Sequence, residues 1–166
     1  MINRRFLLLS GISGIGLSVF GYSKSVVNNA EASEGVFEYV LTDNQWRTKL
    51  SEKQYNVLRH EGTERPFSSP LNDEKRSGVY NCRGCDLPVY SSKAKYDSGT
   101  GWPSFYKSLD NSVRTKIDKT LFSARTEVHC RRCGGHFGHI FNDGPAPTGK
   151  RHCLNGLALK FEATEV

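Results

Sequence analysis

Two Cys-x-x-Cys pairs, Cys82-Arg83-Gly84-Cys85 and Cys130-Arg131-Arg132-Cys133, constrain this chain more than any other feature. Four thiols in two identical spacings predict a single four-sulfur metal site made from two hairpin-like knuckles. Zinc suits it, because zinc accepts four thiolates in a tetrahedron and brings no redox chemistry of its own. A site closed by four sulfurs leaves no position for substrate, so its role is structural. Arg83, Arg131 and Arg132 lie inside the knuckles and are expected to offset the thiolate charge. Two separate disulfides, or one dithiol redox pair, are the competing readings. Either way Cys153, the fifth cysteine, is left alone.

Cys153 sits in Arg151-His152-Cys153-Leu154-Asn155. If this stretch is extended, Arg151, Cys153 and Asn155 share one face, and His152 and Leu154 take the other. A guanidinium beside a thiol favours the nucleophilic thiolate. Asn155 is placed to orient the sulfur or a polar substrate group. The plainer reading is a buried, inert cysteine. His136-Phe137-Gly138-His139 brings two imidazoles together as candidate proton donors, or as a pair of structural histidines. Ser98-Gly99-Thr100-Gly101-Trp102-Pro103-Ser104-Phe105 reads as a glycine-rich turn that presents an aromatic wall rather than a core strand. Asn142-Asp143-Gly144-Pro145 is expected only to close a turn.

The chain has 166 residues, enough for one domain with a real core. Residues 1–32 are read as separate from it. Asn3-Arg4-Arg5, an apolar run from Phe6 to Phe20, and Ala30-Glu31-Ala32 have the layout of an export signal of the twin-arginine type, with cleavage after Ala32. A retained membrane anchor is the alternative. Cleavage removes Arg4, Arg5, Lys24 and Glu31 and lowers the net charge from +6 to +4. With no dense basic run, nucleic acid is not an expected partner. The twin-arginine route exports folded proteins, so zinc bound before export would protect the four thiols in an oxidising, periplasmic compartment.

Residues 33–166 form the expected catalytic domain. Thr42-Asp43-Asn44-Gln45 and Ser51-Glu52-Lys53-Gln54 are capping boxes. They predict two short helices, the first with Trp46 and Leu50 four apart on one face, the second carrying Tyr55 and Leu58 and stopped by Gly62. From Gly78 the pattern turns to strands. Val79-Tyr80 leads into the first knuckle and Val89-Tyr90 leads out. In 121–129, Phe122, Ala124, Thr126 and Val128 alternate with Ser123, Arg125, Glu127 and His129, which predicts one apolar face. Leu157, Leu159 and Phe161 alternate with Ala158 and Lys160 in a final strand.

In order and spacing, the two Cys-x-x-Cys pairs, Ser98-Gly99 with Gly101-Trp102-Pro103-Ser104-Phe105, His136-Phe137-Gly138-His139, Asp143-Gly144-Pro145 and Arg151-His152-Cys153-Leu154-Asn155 resemble the peptide-methionine (R)-S-oxide reductases, the B-type methionine sulfoxide reductases. The resemblance runs from about Thr42 to Phe161. It implies a mainly β fold of two antiparallel sheets (Mss4-like, or β-tent) with short N-terminal helices and one structural Zn2+ held by Cys82, Cys85, Cys130 and Cys133. It implies that Cys153 attacks the sulfoxide sulfur and is left as a sulfenic acid. It further implies that Trp102 packs on the S-methyl group, that His136 and His139 bind or protonate the oxygen, and that Arg151 and Asn155 support the thiolate and substrate.

Many members of that family carry a resolving cysteine at the position of Thr100. Here it is threonine, and the other thiols are assigned to zinc. The expectation is therefore a one-cysteine cycle in which a thioredoxin-like protein or a small thiol attacks the sulfenic acid. The expected partners are oxidised proteins bearing methionine-R-sulfoxide and that reductant, with the mature chain a monomer that has no stable membrane association. An exported zinc-ribbon-like binding module and a thiol-disulfide oxidoreductase are the alternatives.

Overall fold

The computed structural model describes residues 37–119 and 123–164. The export signal expected for residues 1–32, and Phe122 of the expected strand, lie outside them. Helix α1 (Asp43–Lys49) and helix α2 (Glu52–His60) both begin at the capping boxes read from the sequence, with Thr42 and Ser51 accepting from the backbone of Gln45 and Gln54. Each box satisfies donors that would otherwise have no intrahelical partner. The end of α2 differs by one residue from expectation. Glu61, not Gly62, takes the left-handed conformation, at φ 56°. Gly62 follows because an added Cβ would lie 2.3 Å from the Asn56 side chain, which packs against this turn.

Among the described residues nine strands follow, named in chain order: β1 (Gly78–Cys82), β2 (Pro88–Ser91), β3 (Lys95–Tyr96), β4 (Ser104–Phe105), β5 (Val113–Asp118), β6 (Arg125–Cys130), β7 (His136–Phe141), β8 (Arg151–Leu154) and β9 (Leu159–Ala163). They form two sheets, a three-stranded one in the order β2-β1-β9 and a six-stranded one in the order β3-β4-β8-β7-β6-β5. The pairings within both sheets are antiparallel. This is the mainly β, two-sheet fold with short N-terminal helices that the resemblance implied. Among the described residues, no helix is long and apolar enough to cross a membrane.

Aromatic side chains hold the core. Tyr80 of β1 and Tyr90 of β2 meet Phe105 of β4 with ring centroids 5.0 and 4.7 Å apart, and Phe161 of β9 closes on Tyr80 at 4.9 Å. Phe105 is fully buried. The end of the Ser98–Phe105 segment is therefore a core strand rather than part of an open wall. Burying a ring of this size contributes on the order of 2 kcal/mol. Two further expectations are corrected. In β6, Glu127 and His129, opposite the expected apolar face, are buried along with Val128: Glu127 bonds Lys116 of β5 and His136 of β7, and the Phe37 ring lies edge-on to His129. Leu157 and Ala158 belong to a 3-10 turn over 156–158, whose first two amides are capped by the Glu64 carboxylate, so the last strand starts only at Leu159.

Candidate active site and metal centre

The two knuckles repeat one backbone pattern. In the first, the Asp86 N–H donates to the Cys82 carbonyl at 2.9 Å and the Cys82 N–H to the Leu87 carbonyl at 2.8 Å. In the second, the Gly134 and Cys130 N–H groups donate to the Cys130 and Gly135 carbonyls, both at 2.9 Å. Each turn needs a left-handed residue at the same place, and Asp86 (φ 58°) and Gly134 (φ 70°) supply it. The turns aim four buried sulfurs at one point. Cys82 and Cys133 stand 3.6 Å apart, Cys85 and Cys130 3.5 Å, and the four sulfurs lie within 4.8 Å of one another.

All five cysteines are free thiols, which sets aside the two-disulfide reading. Sulfurs 2.3 Å from a tetrahedral zinc would be about 3.8 Å apart, so the cluster fits a metal ion with little adjustment. The helices roof it. Trp46 lies over Gly84 and Leu58 against Gly135, and Arg59 donates to the Cys133 carbonyl at 3.1 Å while stacking on Trp46. The knuckle arginines do not point at sulfur. Arg132 donates to the Cys85 carbonyl, Arg83 to the Leu159 carbonyl and Arg131 to the Asn111 carbonyl. Their charge acts through the backbone around the cluster.

Cys153 occupies the third position of β8, partly buried, at the centre of a row that crosses the larger sheet. Direct register pairs run Tyr96–Ser104, Ser104–Cys153, Cys153–His139, His139–Glu127 and Glu127–Lys116. Paired residues in adjacent strands hold their side chains on one face within reach of each other. Gly138 makes the approach of β7 to β8 possible. At φ 154°, an added Cβ would lie 2.1 Å from the Cys153 carbonyl oxygen. On the far side, Thr100 Oγ1 is 3.9 Å from Cys153 Sγ and joins a hydroxyl chain through Ser98 to Ser104, at 2.8 and 2.7 Å. Beside them a cleft of about 410 Å³ is lined by Tyr96, Thr100, Asp143 and Arg151.

Arg151 does share the face of Cys153. Its guanidinium is held bidentately by Asp143 at 2.8–2.9 Å and lies 4.4 Å over the Phe141 ring. Asp143, expected only to close a turn, is thus the clamp of Arg151. Arg151 and the Thr100 hydroxyl both favour the Cys153 thiolate, yet burial outweighs them and the thiol is pushed above its ordinary range. Burial thus opposes the thiolate that Arg151 was expected to favour, although Arg151, clamped by Asp143, still acts to lower the thiol's pKa.

The two histidines fall into different settings. His136 is deeply buried, donates its Nδ1–H to Glu127 Oε1 at 2.8 Å, and has a buried Nε2 without a partner among the described residues. Burial pushes its pKa down to about 4, so it is neutral at pH 7. His139 lies 5.5 Å from it, ring to ring, and bonds through Nε2 to Asp118 Oδ2 at 2.8 Å. Burial lowers His139 too, with Asp118 pulling the other way.

Asn155 does not extend the Arg151–Cys153 face. It is buried, accepting from the Glu64 N–H at 2.9 Å and donating to the Phe137 carbonyl at 3.0 Å. Trp102, half-buried, donates its indole N–H to the Glu64 carbonyl at 3.1 Å. Glu64 thereby ties Trp102 and Asn155 to one backbone turn. Sequence reasoning passed over Glu64, Asp118, Glu127 and Ser104 as site residues. The first lies within the Thr42 to Phe161 span of the resemblance, while the carboxylates Asp118 and Glu127 meet histidines only through strand register.

The architecture defines a small two-sheet β protein with a four-thiol metal centre and one separate, accessible cysteine among hydroxyl and imidazole groups. Residues 50–163 match the SelR domain model. The peptide methionine sulfoxide reductase MsrB of Methanosarcina barkeri is 50% identical over 125 residues, covering 75% of this chain and 88% of that protein. MsrB of Thiobacillus denitrificans is 51% identical over 121 residues, covering 72% and 92%. The chloroplastic peptide methionine sulfoxide reductase B1 of Arabidopsis thaliana is 45% identical over 163 residues, covering 95% and 80%. The chain belongs to the SelR domain family, the B-type peptide methionine sulfoxide reductases.

Proposed function

We propose that this enzyme reduces the R diastereomer of protein-bound methionine sulfoxide, with Cys153 as nucleophile and a sulfenic acid as intermediate. Family membership supplies the coarser statement, methionine sulfoxide reduction by an oxidoreductase. The observation that carries the finer one is the placement of Cys153, paired in register with His139 on one side and 3.9 Å from the Thr100 hydroxyl on the other. Attack of the Cys153 sulfur on the sulfoxide breaks the substrate S–O bond. The oxygen ends on Cys153 as sulfenic acid, methionine leaves as the thioether, and the thiol proton passes to the oxygen through a neighbouring acid. Trp102 is assigned to the S-methyl group and His136 and His139 to the oxygen. Arg151 sits beside the sulfur, and Asn155 positions the Glu64 turn whose carbonyl accepts from the Trp102 indole.

The four-cysteine cluster would hold one Zn2+, which supplies structure and takes no part in the reaction. No other sulfur is free to resolve the sulfenic acid, so an external thioredoxin-like protein or small thiol attacks it. That step releases water and leaves a mixed disulfide, which a second thiol reduces. The expected twin-arginine-type signal supports a periplasmic or equivalent setting, with oxidised exported proteins as substrates. The test is turnover of separated R and S diastereomers of a methionine sulfoxide peptide, with and without Cys153→Ser. Turnover of the R form alone, abolished by the substitution, is expected. Turnover of the S form alone, or activity that survives the substitution, overturns the proposal.

A further inference from the structure

The two imidazoles each lean on a strand carboxylate, and each carboxylate on a cation. Glu127 bonds His136 and pairs with Lys116 at 3.0 Å, and Asp118 bonds His139 and pairs with Arg125 at 2.6 Å. Only the second assembly ends on the direct register partner of Cys153. To make it, the His139 ring reaches diagonally over β6 to β5, where Asp118 stands opposite Arg125. A carboxylate whose oxygen already faces a guanidinium can only accept, so the proton shared with it resides on Nε2.

We infer that Asp118, held by Arg125, is the positioning residue of His139: it fixes Nε2–H and leaves Nδ1 as the nitrogen that exchanges a proton with the Cys153 thiol and the sulfoxide oxygen. The inference rests on the reading of Cys153 and His139 given above. The same logic orients a catalytic histidine wherever a buried carboxylate selects its tautomer. It also separates the roles of the two histidines. His136 stays neutral in its buried pocket, whereas Asp118 supports the protonated form of His139 against burial. Among the described residues, the charged and titratable groups facing His139 are Asp118 from β5, Arg125 and Glu127 from β6, His136 from its own strand and Cys153 from β8.

The experiment uses the zinc-loaded full chain with Asp118→Asn, Asp118→Glu and Arg125→Met. It reads the His139 side-chain nitrogen shifts across pH and kcat on an R-sulfoxide peptide. In the unsubstituted protein His139 is expected as the Nε2–H tautomer. Asp118→Asn should mix the tautomers, move the His139 midpoint down and lower kcat about 100-fold, while Asp118→Glu restores most of both. Arg125→Met should move the midpoint up, since the guanidinium opposes His139 protonation. This variant also decides the matter if Asp118→Asn fails to retain zinc. Unchanged tautomer and midpoint in Asp118→Asn, or in Arg125→Met where the first does not fold, overturn the inference. If the unsubstituted protein turns over no R-sulfoxide, the proposed function fails, and the nitrogen shifts still decide whether Asp118 fixes His139.

Discussion

The sulfurs of the two knuckles and the sulfur of Cys153 are the same functional group placed in two kinds of surroundings. Cys82, Cys85, Cys130 and Cys133 are almost wholly buried, have one another as neighbours, and are aimed by backbone turns that repeat hydrogen bond for hydrogen bond. Cys153 stands on a strand interior, partly open, with a threonine hydroxyl at 3.9 Å and an imidazole in register. In the first region the geometry is set by turns and the side chains only have to be cysteine. In the second, the strand supplies position alone, and the chemistry comes from side chains on the neighbouring strands and on the loops carrying Thr100 and Asp143. Inertness and reactivity therefore follow from what surrounds each sulfur.

The sharpest way to break this contrast is to remove one sulfur from each region. Cys133→Ser leaves three ligands and is expected to cost zinc and the cooperative fold together, since structural zinc in small domains contributes on the order of 10 kcal/mol. Cys153→Ser is expected to retain one zinc per chain and the thermal midpoint of the unsubstituted protein. Zinc stoichiometry and thermal unfolding of both variants check this. Loss of zinc from Cys153→Ser, or a stable zinc-bound Cys133→Ser, would show that the two regions are not separable.

The contrast also explains what could be read without coordinates. Features written within a few consecutive residues were legible: both capping boxes, both knuckles, and the extended segment that sets Arg151 and Cys153 on one face. Features that depend on register were not. Asp118 and His139 are 21 residues apart and meet only because β5, β6 and β7 align as they do. Asp143 looked like a turn residue until its loop folded back on Arg151. Asn155 looked like the third member of an extended face, but the chain leaves β8 at Leu154 and turns its amide inward to Glu64 and Phe137. Period-two alternation gave no sign that Glu127 is buried, because ion pairs with Lys116 and His136 can bury a charged residue as completely as an apolar one.

Giving Cys153 a sulfur neighbour of its own sharpens the comparison further. Thr100 Oγ1 lies 3.9 Å from Cys153 Sγ, so Thr100→Cys puts a second sulfur within a side-chain rotation of bonding distance, about 2 Å. After one turnover without reductant, intact mass should show the loss of two hydrogens in this variant and an added oxygen in the unsubstituted protein. An added oxygen in both would count against the placement of Thr100.

The smallest expected effect lies in the titration of Cys153. Burial raises its pKa, while the Thr100 hydrogen bond and then Arg151 lower it. The thiolate is the form that alkylates, so the rate of iodoacetamide modification of the zinc-loaded protein should rise with pH to a midpoint above that of an ordinary cysteine. Thr100→Val deletes the largest of the opposing influences without opening the site. Its midpoint must move further up, and its rate at neutral pH must fall, while the zinc-bound sulfurs stay unmodified throughout. A midpoint that moved down would mean that the hydroxyl holds the thiol in its protonated form, and that the surroundings of Cys153 keep it quiet rather than prepare it.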